Sequence, residues 1–227
     1  MLYLALSCLQ GRTMQSAAED LLEIGANNLQ LTPGNVPTPE FNKWLQERQV
    51  SIRKHHGFHW EALRRKVWSE TADCLVDADS VHPPQTNAGI ADVWKQQAEQ
   101  GNYAGILLET MYPGYCLGDG DRLSWAMDIQ LELAVDVSHI YIQICQNALD
   151  NTVWERLQNY ENIGEIHISA NHGKSDIHQP ITEQTFGLEW LRDRTQDGTP
   201  AILECYMHRL TPTERRKQVE LLLNVVG

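Results

Sequence analysis

The chain has 227 residues, a length that suits one sizeable domain or two small ones. Hydrophobic residues make up 42% of it and charged residues 21%, which is ordinary for a globular protein and excludes a wholly disordered chain. Lys and Arg total 18 against 30 Asp and Glu, and the net charge of −12 argues against a protein held to nucleic acid by clustered positive charge. A bound metal ion could still supply positive charge for a local phosphate site.

The cysteines and the first residues bear on the cellular compartment. The five cysteines are scattered and form no CxxC pair, which favours reduced thiols over a disulfide framework or a zinc ribbon. The apolar stretch Met1–Leu6 is too short for a signal peptide and has no basic region before it. No apolar run approaches the roughly 20 residues that span a bilayer. We therefore expect a soluble, cytoplasmic protein.

Short apolar runs typical of β-strands alternate with helical patterns along the chain. The predicted strands are, in order, Leu2–Cys8, Asn28–Thr32, Val50–Phe58, Asp79–His82, Tyr103–Glu109, Leu131–Asp136, Gly164–Ile168 and Ala201–Glu204. The predicted helices are Thr13–Ile24, one from Pro39 through Leu45, one through Trp60 to Val67, Ala91–Ala98, one around Trp125 and Met127, Val153–Tyr160, Glu183–Arg194, and a last one from Pro212 to Val226.

Eight strands in alternation with eight helices predict an α/β fold, the (β/α)₈ TIM barrel. Each βα unit takes about 28 residues, which is compact but workable for this fold. No linker or low-complexity stretch interrupts the pattern. We therefore predict one domain over residues 1–227.

The carboxyl ends of the strands, with the loops that follow them, form the active face of such a barrel. A His, Asp or Glu lies at the end of each predicted strand from the third to the eighth. In chain order these residues are His56, His82, Glu109, Asp136, His167 and Glu204. Because they recur roughly once per βα unit, their side chains are expected to converge above the barrel axis.

The third predicted strand leaves a choice open. It ends in the run Lys54-His55-His56-Gly57-Phe58-His59, and its three histidines cannot all be ligands. The sequence does not choose among them, but the glycine that follows His56 marks a break in the backbone and favours that residue.

Other polar residues lie close to these strand ends. His139 follows Asp136, and Asp176 and His178 lie in the loop after the seventh strand. His172 and His208 are expected to be loop residues or to support the ligands.

The joint pattern favours a metal site. Imidazole nitrogens together with carboxylate oxygens suit Zn²⁺, Mn²⁺ or Fe²⁺. Without a cation, four carboxylates at close range would be costly. A single histidine at a strand end is more often a structural residue than a ligand, so the hypothesis depends on the coincidence of several strand ends.

Four short motifs resemble the xylose isomerase-like TIM barrel superfamily, which includes sugar isomerases and epimerases and the endonuclease IV group, also called AP endonuclease family 2. The motifs are Leu-Leu-Glu-Thr at Glu109, Val-Asp-Val-Ser-His from Val135 to His139, Ile-His-Ile-Ser at His167 and Ile-Leu-Glu-Cys at Glu204. The resemblance implies that Glu109, Asp136, His167 and Glu204 bind one divalent metal ion. It also implies that His139 contacts the substrate or a second metal ion.

Two departures from the sugar enzymes point in another direction. The epimerases usually carry an Arg shortly after the histidine of the seventh strand, whereas this chain has Ser-Ala-Asn-His-Gly-Lys there. Asp176 and His178, with His56 and His82, resemble instead the three-metal set of the endonuclease IV group. They also resemble the multinuclear iron barrels that modify peptides, whose corresponding loop contains Asp-x-His. The basic runs that begin at Arg64 and Arg215 fall on predicted outer helices and are interpreted as solvated faces.

These observations lead to one leading hypothesis and two alternatives. The leading one is an isomerase or epimerase that acts on a small sugar or hydroxy-carbonyl substrate through a metal-stabilised enediolate, with Glu109 and Glu204 exchanging the proton. The first alternative is a multinuclear phosphodiesterase or iron oxidase, with further metal ions held by His56, His82, His139, Asp176 and His178. The second alternative is a non-catalytic binding protein that retains the barrel. No Walker or GxGxxG motif supports a nucleotide cofactor, and the oligomeric state stays open.

Overall fold

The computed structural model of the protein describes residues 1–32, 37–55, 78–87, 89 and 91–227. Its strands are β1 (Leu2–Ala5), β2 (Asn28–Leu31), β3 (Ser51–Lys54), β4 (Ser80–Val81), β5 (Leu107–Glu109), β6 (Leu133–Asp136), β7 (Ile163–Ile168) and β8 (Ala201–Leu203). They form one parallel sheet in the order β3-β2-β1-β8-β7-β6-β5-β4. The predicted eight-stranded α/β barrel is confirmed.

The sheet closes on itself where β3 meets β4. A parallel bridge pairs His55 with Ser80, and the backbone N–H of Asp79 donates to the carbonyl of Lys54 at 2.8 Å. Because β4 has two residues, this seam is short compared with the pairing between β6 and β7.

The helices of the described residues pack around the sheet and follow the strands as the barrel pattern predicts. They are α1 (Met14–Glu23), α2 (Pro39–Glu47), α3 (Ala91–Glu99), α4 (Gly120–Asp128), α5 (Val137–Cys145), α6 (Asn151–Gln158), α7 (Leu188–Gln196) and α8 (Pro212–Val226). Apolar residues at helical spacing, such as Leu123, Ala126 and Met127 in α4, are buried in the core. Thr211 and Glu214 form a capping box that starts α8, with Pro212 in the first turn as predicted. No helix in the described part of the chain is long and apolar enough to cross a membrane.

Three predicted boundaries were wrong by three residues or more. The fifth strand starts at Leu107 rather than Tyr103. The first strand ends at Ala5, and a short 3₁₀ helix at Leu6–Leu9 replaces its predicted last residues. The seventh helix starts at Leu188 rather than Glu183, because the preceding residues form a turn that ends at Gly187 with φ 83°.

One helix of the structure was not predicted, and one predicted helix lies where the structure describes no residues. Helix α5 follows β6 directly, and the Asp136 side chain caps it by accepting from the backbone N–H groups of Ser138 and His139 at 2.6 and 3.2 Å. The helix predicted through Trp60 to Val67 lies outside the described residues.

The barrel interior carries a polar layer below the strand ends. Arg53 from β3 donates to Glu165 from β7 at 2.5 Å, and Gln30 from β2 lies 3.4 Å from His167, measured between side-chain nitrogens. Since β2 and β3 lie across the barrel from β7, these contacts place the four side chains inside the ring. These side chains lie beneath the strand ends at which the predicted site residues are found.

Candidate metal centre

The polar side chains at the carboxyl end of the barrel form one cluster. The strand ends contribute His55, His82, Glu109, Asp136, His167 and Glu204. All of these except His82 are buried. Helix α5 adds His139, and the loop after β7 adds Asp176 and His178. Eight of the nine predicted ligands thus lie together, and the ninth, His56, lies outside the described residues.

His55, one of the three histidines that the sequence left open, lies in the cluster. Its Nε2 atom lies 3.1 Å from Glu109 Oε2 and 3.0 Å from His82 Nε2. His82 Nε2 lies 3.0 Å from the same Glu109 oxygen. We call His55, His82 and Glu109 the strand group. Tetrahedral ligands about 2.1 Å from one zinc ion lie roughly 3.4 Å apart, so this triangle has nearly the size that a metal ion requires.

A second group lies at the centre of the cluster. The ligand atoms of Asp136, His167 and Glu204, here called the central group, lie within 4.8 Å of one another. His167 Nδ1 is 3.3 Å from Glu204 Oε1 and 3.7 Å from Glu109 Oε2. Glu109 therefore borders both the strand group and the central group.

A third group comprises His139, Asp176 and His178, here called the loop group. Asp176 Oδ2 lies 3.2 Å from His139 Nε2 and 3.0 Å from His178 Nε2. His139 Nδ1 also lies 3.3 Å from Glu109 Oε1, and the ligand atoms of Glu109, Asp136 and His139 again fall within 4.8 Å of one another. The three groups are thus contiguous.

His178 has a strained backbone. Its φ of 44° lies in the left-handed region, which costs a residue with a side chain about 1–3 kcal/mol. Its carbonyl accepts a hydrogen bond from the backbone N–H of Tyr206 at 2.7 Å, which fixes the loop. Its imidazole Nε2 faces Asp176 Oδ2.

Several buried atoms of the cluster make no well-aligned hydrogen bond, although some of them face an imidazole or a carboxylate of the cluster at 3.0–3.3 Å. They are Glu109 Oε2, His139 Nε2, His167 Nδ1, Asp176 Oδ1 and His178 Nδ1. Buried polar atoms are normally satisfied, so a group of five in one place needs an explanation. Nitrogen and carboxylate donors fit zinc, manganese and iron, and the nine residues therefore fit the metal that the sequence predicts.

The charges of the cluster depend on its protonation. Burial opposes the charging of His139 and His167, but the facing carboxylates outweigh it and raise the pKa of both imidazoles well above the usual value. Burial also opposes ionisation of Glu109, yet His82, His55 and His167 hold the pKa of its carboxyl well below the usual range. Protons on two histidines therefore balance the carboxylates, and a divalent cation can replace those protons.

The pKa values of His55 and Asp136 shift in the opposite direction to those of the histidines and the glutamate just described. Burial lowers the pKa of His55 to about 4, so this imidazole is neutral at pH 7 and has a lone pair for a metal ion. Burial, together with neighbouring carboxylates such as Glu109, raises the pKa of Asp136.

The remaining contacts of the imidazole rings orient the ligands. His139 Nδ1–H donates to the carbonyl of Thr110 at 2.9 Å, and His167 Nε2–H donates to Glu165 Oε1 at 2.8 Å. His55 Nδ1 lies 3.0 Å from Ser80 Oγ. In each ring the second nitrogen then faces the carboxylates, as metal-binding histidines require.

Two tyrosines that the sequence analysis missed border the cluster. The ring of Tyr112 packs edge-on against His139 with centroids 5.1 Å apart, and the ring of Tyr206 lies 4.7 Å from His178. Both come two or three residues after a predicted ligand at a strand end, Glu109 or Glu204, and that spacing could have identified them. Burial, with the neighbouring Tyr115, raises the pKa of Tyr112 to about 12, so its hydroxyl stays protonated.

The two histidines expected to have supporting roles lie in loops. His172 is in the loop after β7, and His208 is in the loop after β8, where its ring lies 5.9 Å from Tyr206. Glu165 and Ser80 were not predicted to take part, although Glu165 interrupts the apolar run of β7 and so carried a signal.

No protein-family model matches the sequence, and no curated protein matches it. Among solved structures, the chain is similar to a D-tagatose 3-epimerase-like protein, with 18% identity, a TM-score of 0.64 and coverage of 99% of this chain and 97% of that one. A putative xylose isomerase from Rhodospirillum rubrum has 14% identity, a TM-score of 0.65 and coverage of 98% of both chains.

The chain shares the TIM barrel fold of these structures. The resemblance inferred from the four motifs is thereby confirmed at the level of the fold. A third similar structure, a protein from Thermus thermophilus soaked with ZnCl₂, has 16% identity, a TM-score of 0.57 and coverage of 100% of this chain and 97% of that one. The reaction has to be argued from the site.

Proposed function

We propose that this protein is a multinuclear metalloenzyme that binds up to three divalent metal ions and uses iron to oxidise a small-molecule substrate. The observation that carries the proposal is the composition of the two outer groups. The strand group and the loop group each offer two histidines and one carboxylate, and the central group joins them. Two histidines and one carboxylate are the ligand set of non-haem iron(II) oxygenases.

The exposed fractions of the side chains indicate that a substrate would reach the site at the two outer groups. The His82 side chain is 35% exposed, and those of Asp176 and His178 are 18% and 16% exposed, whereas the His167 side chain is fully buried. A substrate could therefore reach ions held by the two outer groups, while an ion held by the central group would be shielded from water.

The protein residues supply binding and orientation. Bound iron supplies the redox chemistry that amino-acid side chains lack. The ring of Tyr112 beside His139 and the ring of Tyr206 beside His178 offer aromatic surface to a substrate. Glu109, at the border of the strand and central groups, is placed to hold two ions at once.

The sharpest test is the metal content of protein purified without chelator or added metal and without oxygen. We expect two or three metal ions per chain with iron the major one, and dioxygen consumption that depends on the bound metal. His55→Ala and His178→Ala should each lose about one ion, while His172→Ala, a loop histidine outside the cluster, should lose none. One ion per chain, or none after reconstitution, contradicts the proposal. If the protein instead contains several zinc ions and hydrolyses phosphodiesters, the reaction is hydrolysis and the proposed oxidation is wrong.

An isomerase or epimerase with a single metal ion is the second candidate. It is supported by the meeting of Glu109, Asp136, His167 and Glu204 in one place and by the likeness of the fold to an epimerase-like protein. In that case Glu109 and Glu204 would exchange a proton with the substrate carbon. A stoichiometry of one, unchanged in His55→Ala and His178→Ala, together with exchange of a substrate hydrogen with solvent, would favour it.

A further inference from the structure

A buried carboxylate outside the metal cluster connects two of its ligands. Glu165 lies on β7 with its side chain fully buried inside the barrel. Its Oε1 atom accepts from His167 Nε2–H at 2.8 Å, and its Oε2 atom accepts from Arg53 Nε at 2.5 Å. The hydroxyl of Ser80 also hydrogen-bonds to this carboxylate. Glu165 therefore has donors from three strands.

The Ser80 hydroxyl extends the connection to the strand group. A carboxylate only accepts, so Ser80 donates its proton to Glu165 and keeps its oxygen lone pairs for His55. In the metal-bound form His55 Nδ1–H would then donate to Ser80 Oγ, 3.0 Å away, which leaves Nε2, 3.1 Å from Glu109 Oε2, to bind the ion. The hydrogen-bond chain thus reaches a ligand on the opposite side of the seam between β3 and β4.

The direct contact with His167 has the same effect on the central group. Because Nε2–H donates to Glu165, Nδ1 is the nitrogen that faces the cluster, and a metal ion would bind there in place of the proton that Nδ1 shares with Glu204. Nδ1 lies 3.3 Å from Glu204 Oε1. The same carboxylate therefore sets which nitrogen is presented to the cluster in two histidines from different groups.

Arg53 keeps the carboxylate in its ionised, accepting form. A fully buried carboxylate needs a cationic partner, and Arg53 provides it from across the barrel with its guanidinium 6.0 Å from the Tyr3 ring centroid. The loop group does not share this arrangement, because His139 donates to the backbone carbonyl of Thr110 instead.

We propose that Glu165 is a positioning residue that selects the metal-binding nitrogen of both His167 and His55, the second through Ser80. The inference rests on the metal centre of the proposed function. It assigns a common control to the strand and central positions and none to the loop position. Hydrogen-bond partners of ligating histidines typically change metal affinity about 10–100-fold when they are removed.

The test uses Glu165→Gln, which keeps the size of the side chain but replaces one acceptor oxygen by a donor. In one orientation the new NH₂ group faces His167, and in the other it faces Arg53. Zinc is the probe, because its binding can be measured by chelator competition whatever the native reaction. We expect two of the three zinc affinities to fall about 10–100-fold and the third to stay unchanged. Glu161→Gln, an exposed carboxylate before β7, is the matched control.

A spectroscopic readout separates positioning from general damage. In the zinc-loaded wild type, the His167 Nε2 proton should give a strongly downfield NMR signal from its hydrogen bond to Glu165. That signal should move upfield or vanish in Glu165→Gln and persist in Glu161→Gln. Equal weakening of all three zinc positions, or three unchanged affinities, would overturn the inference.

Ser80→Ala and Ser80→Thr keep the inference testable if Glu165→Gln does not fold. Ser80→Ala removes the link to His55 alone and should weaken one zinc position, while Ser80→Thr retains the hydroxyl and should restore it. If the zinc affinity of the strand group is unchanged in Ser80→Ala, the hydrogen-bond chain through Ser80 does not position His55. A wild type that binds no metal would instead contradict the proposed function, so the two failures are distinguishable.

Discussion

The strand group and the loop group use the same ligand chemistry on different kinds of backbone. In the strand group the ligands end or directly follow three neighbouring strands, and the sheet fixes their separation. In the loop group, His139 lies in the first turn of α5 and the other two ligands lie in the loop after β7. The comparison shows that a parallel barrel supplies one tri-ligand position through its regular geometry, whereas the second has to be built outside the sheet.

Building the second position has a structural cost. His178 adopts a φ of 44°, which the strand ligands avoid. Its loop is held by an isolated antiparallel bridge between Ala170 and Gln179 and by the hydrogen bond from Tyr206. The loop group should therefore be the less rigid of the two, and this difference can be measured.

The largest effect is expected from Glu109→Gln. The variant removes the charged oxygen that borders the strand and central groups, so it should lose two metal ions per chain and lower activity by at least about 100-fold. Metal analysis and turnover on any identified substrate check this. Glu155→Gln, an exposed carboxylate on α6, should behave as the wild type. Retention of all the metal in Glu109→Gln would mean that the two groups do not share this ligand.

The stability of the metal-free protein should pass through a maximum near pH 6.5. The raised pKa values of His139 and His167 contribute stability that is complete below about 6.5, their usual pKa, and is lost as the pH rises. The lowered pKa of His55, about 4, makes the fold lose stability as the pH falls below about 6.5, because the unfolded chain binds that proton first. Melting temperatures between pH 5 and pH 9 should show the maximum.

Two comparisons sharpen the pH prediction. His55→Ala should flatten the acid side of the profile and leave the alkaline side. Zinc loading should remove the alkaline loss, because the metal ion takes the place of the protons on His139 and His167. An apo protein whose melting temperature rises steadily from pH 6.5 to pH 9 would contradict the electrostatic account.

Metal release should distinguish the two outer groups kinetically. With excess chelator, one ion per chain should leave at least about tenfold faster than the others, because loop ligands open more readily than strand ligands. Stopped-flow measurement of the chelator complex gives the phases. The fast phase should be missing in His178→Ala and present in His172→Ala. A fast phase that survives in His178→Ala would assign the labile position elsewhere.

The smallest effect concerns a region remote from the metal centre. Thr211→Ala removes the cap of α8 and should lower the free energy of unfolding by about 1 kcal/mol. Metal content and affinity should stay at the wild-type values. Chemical denaturation and zinc titration check the two expectations, and a change in zinc affinity would show that α8 and the site are coupled.

Much of the site follows from one physical rule, which is that parallel strands end together. That rule identified Glu109, Asp136 and Glu204 from spacing, without knowledge of any contact. It failed to separate His55 from His56, because the choice depends on which face of β3 is inward. In the structure Arg53 contacts Glu165 across the barrel, and His55, two residues later, lies in the cluster.

Other features were beyond a local pattern. Helix α5 was missed because its N-cap, Asp136, is also the last residue of a strand and was interpreted only as a ligand. The positive φ of His178 depends on the loop around it, and the partner of Glu165 lies on β3, far away in sequence. Such long-range choices are made by tertiary packing, and the sequence pattern carries no record of them.

The barrel closes at the seam between β3 and β4 through residues that also belong to the candidate site. His55 and Ser80 form the backbone bridge there, and their side chains belong to the ligand set and to the hydrogen-bond chain beneath it. A cation held by His55, His82 and Glu109 would link the ends of three neighbouring strands. Amides at this seam should then exchange with deuterium more slowly in the loaded protein than in the empty one, so that occupancy of the centre also determines how firmly the ring is fastened.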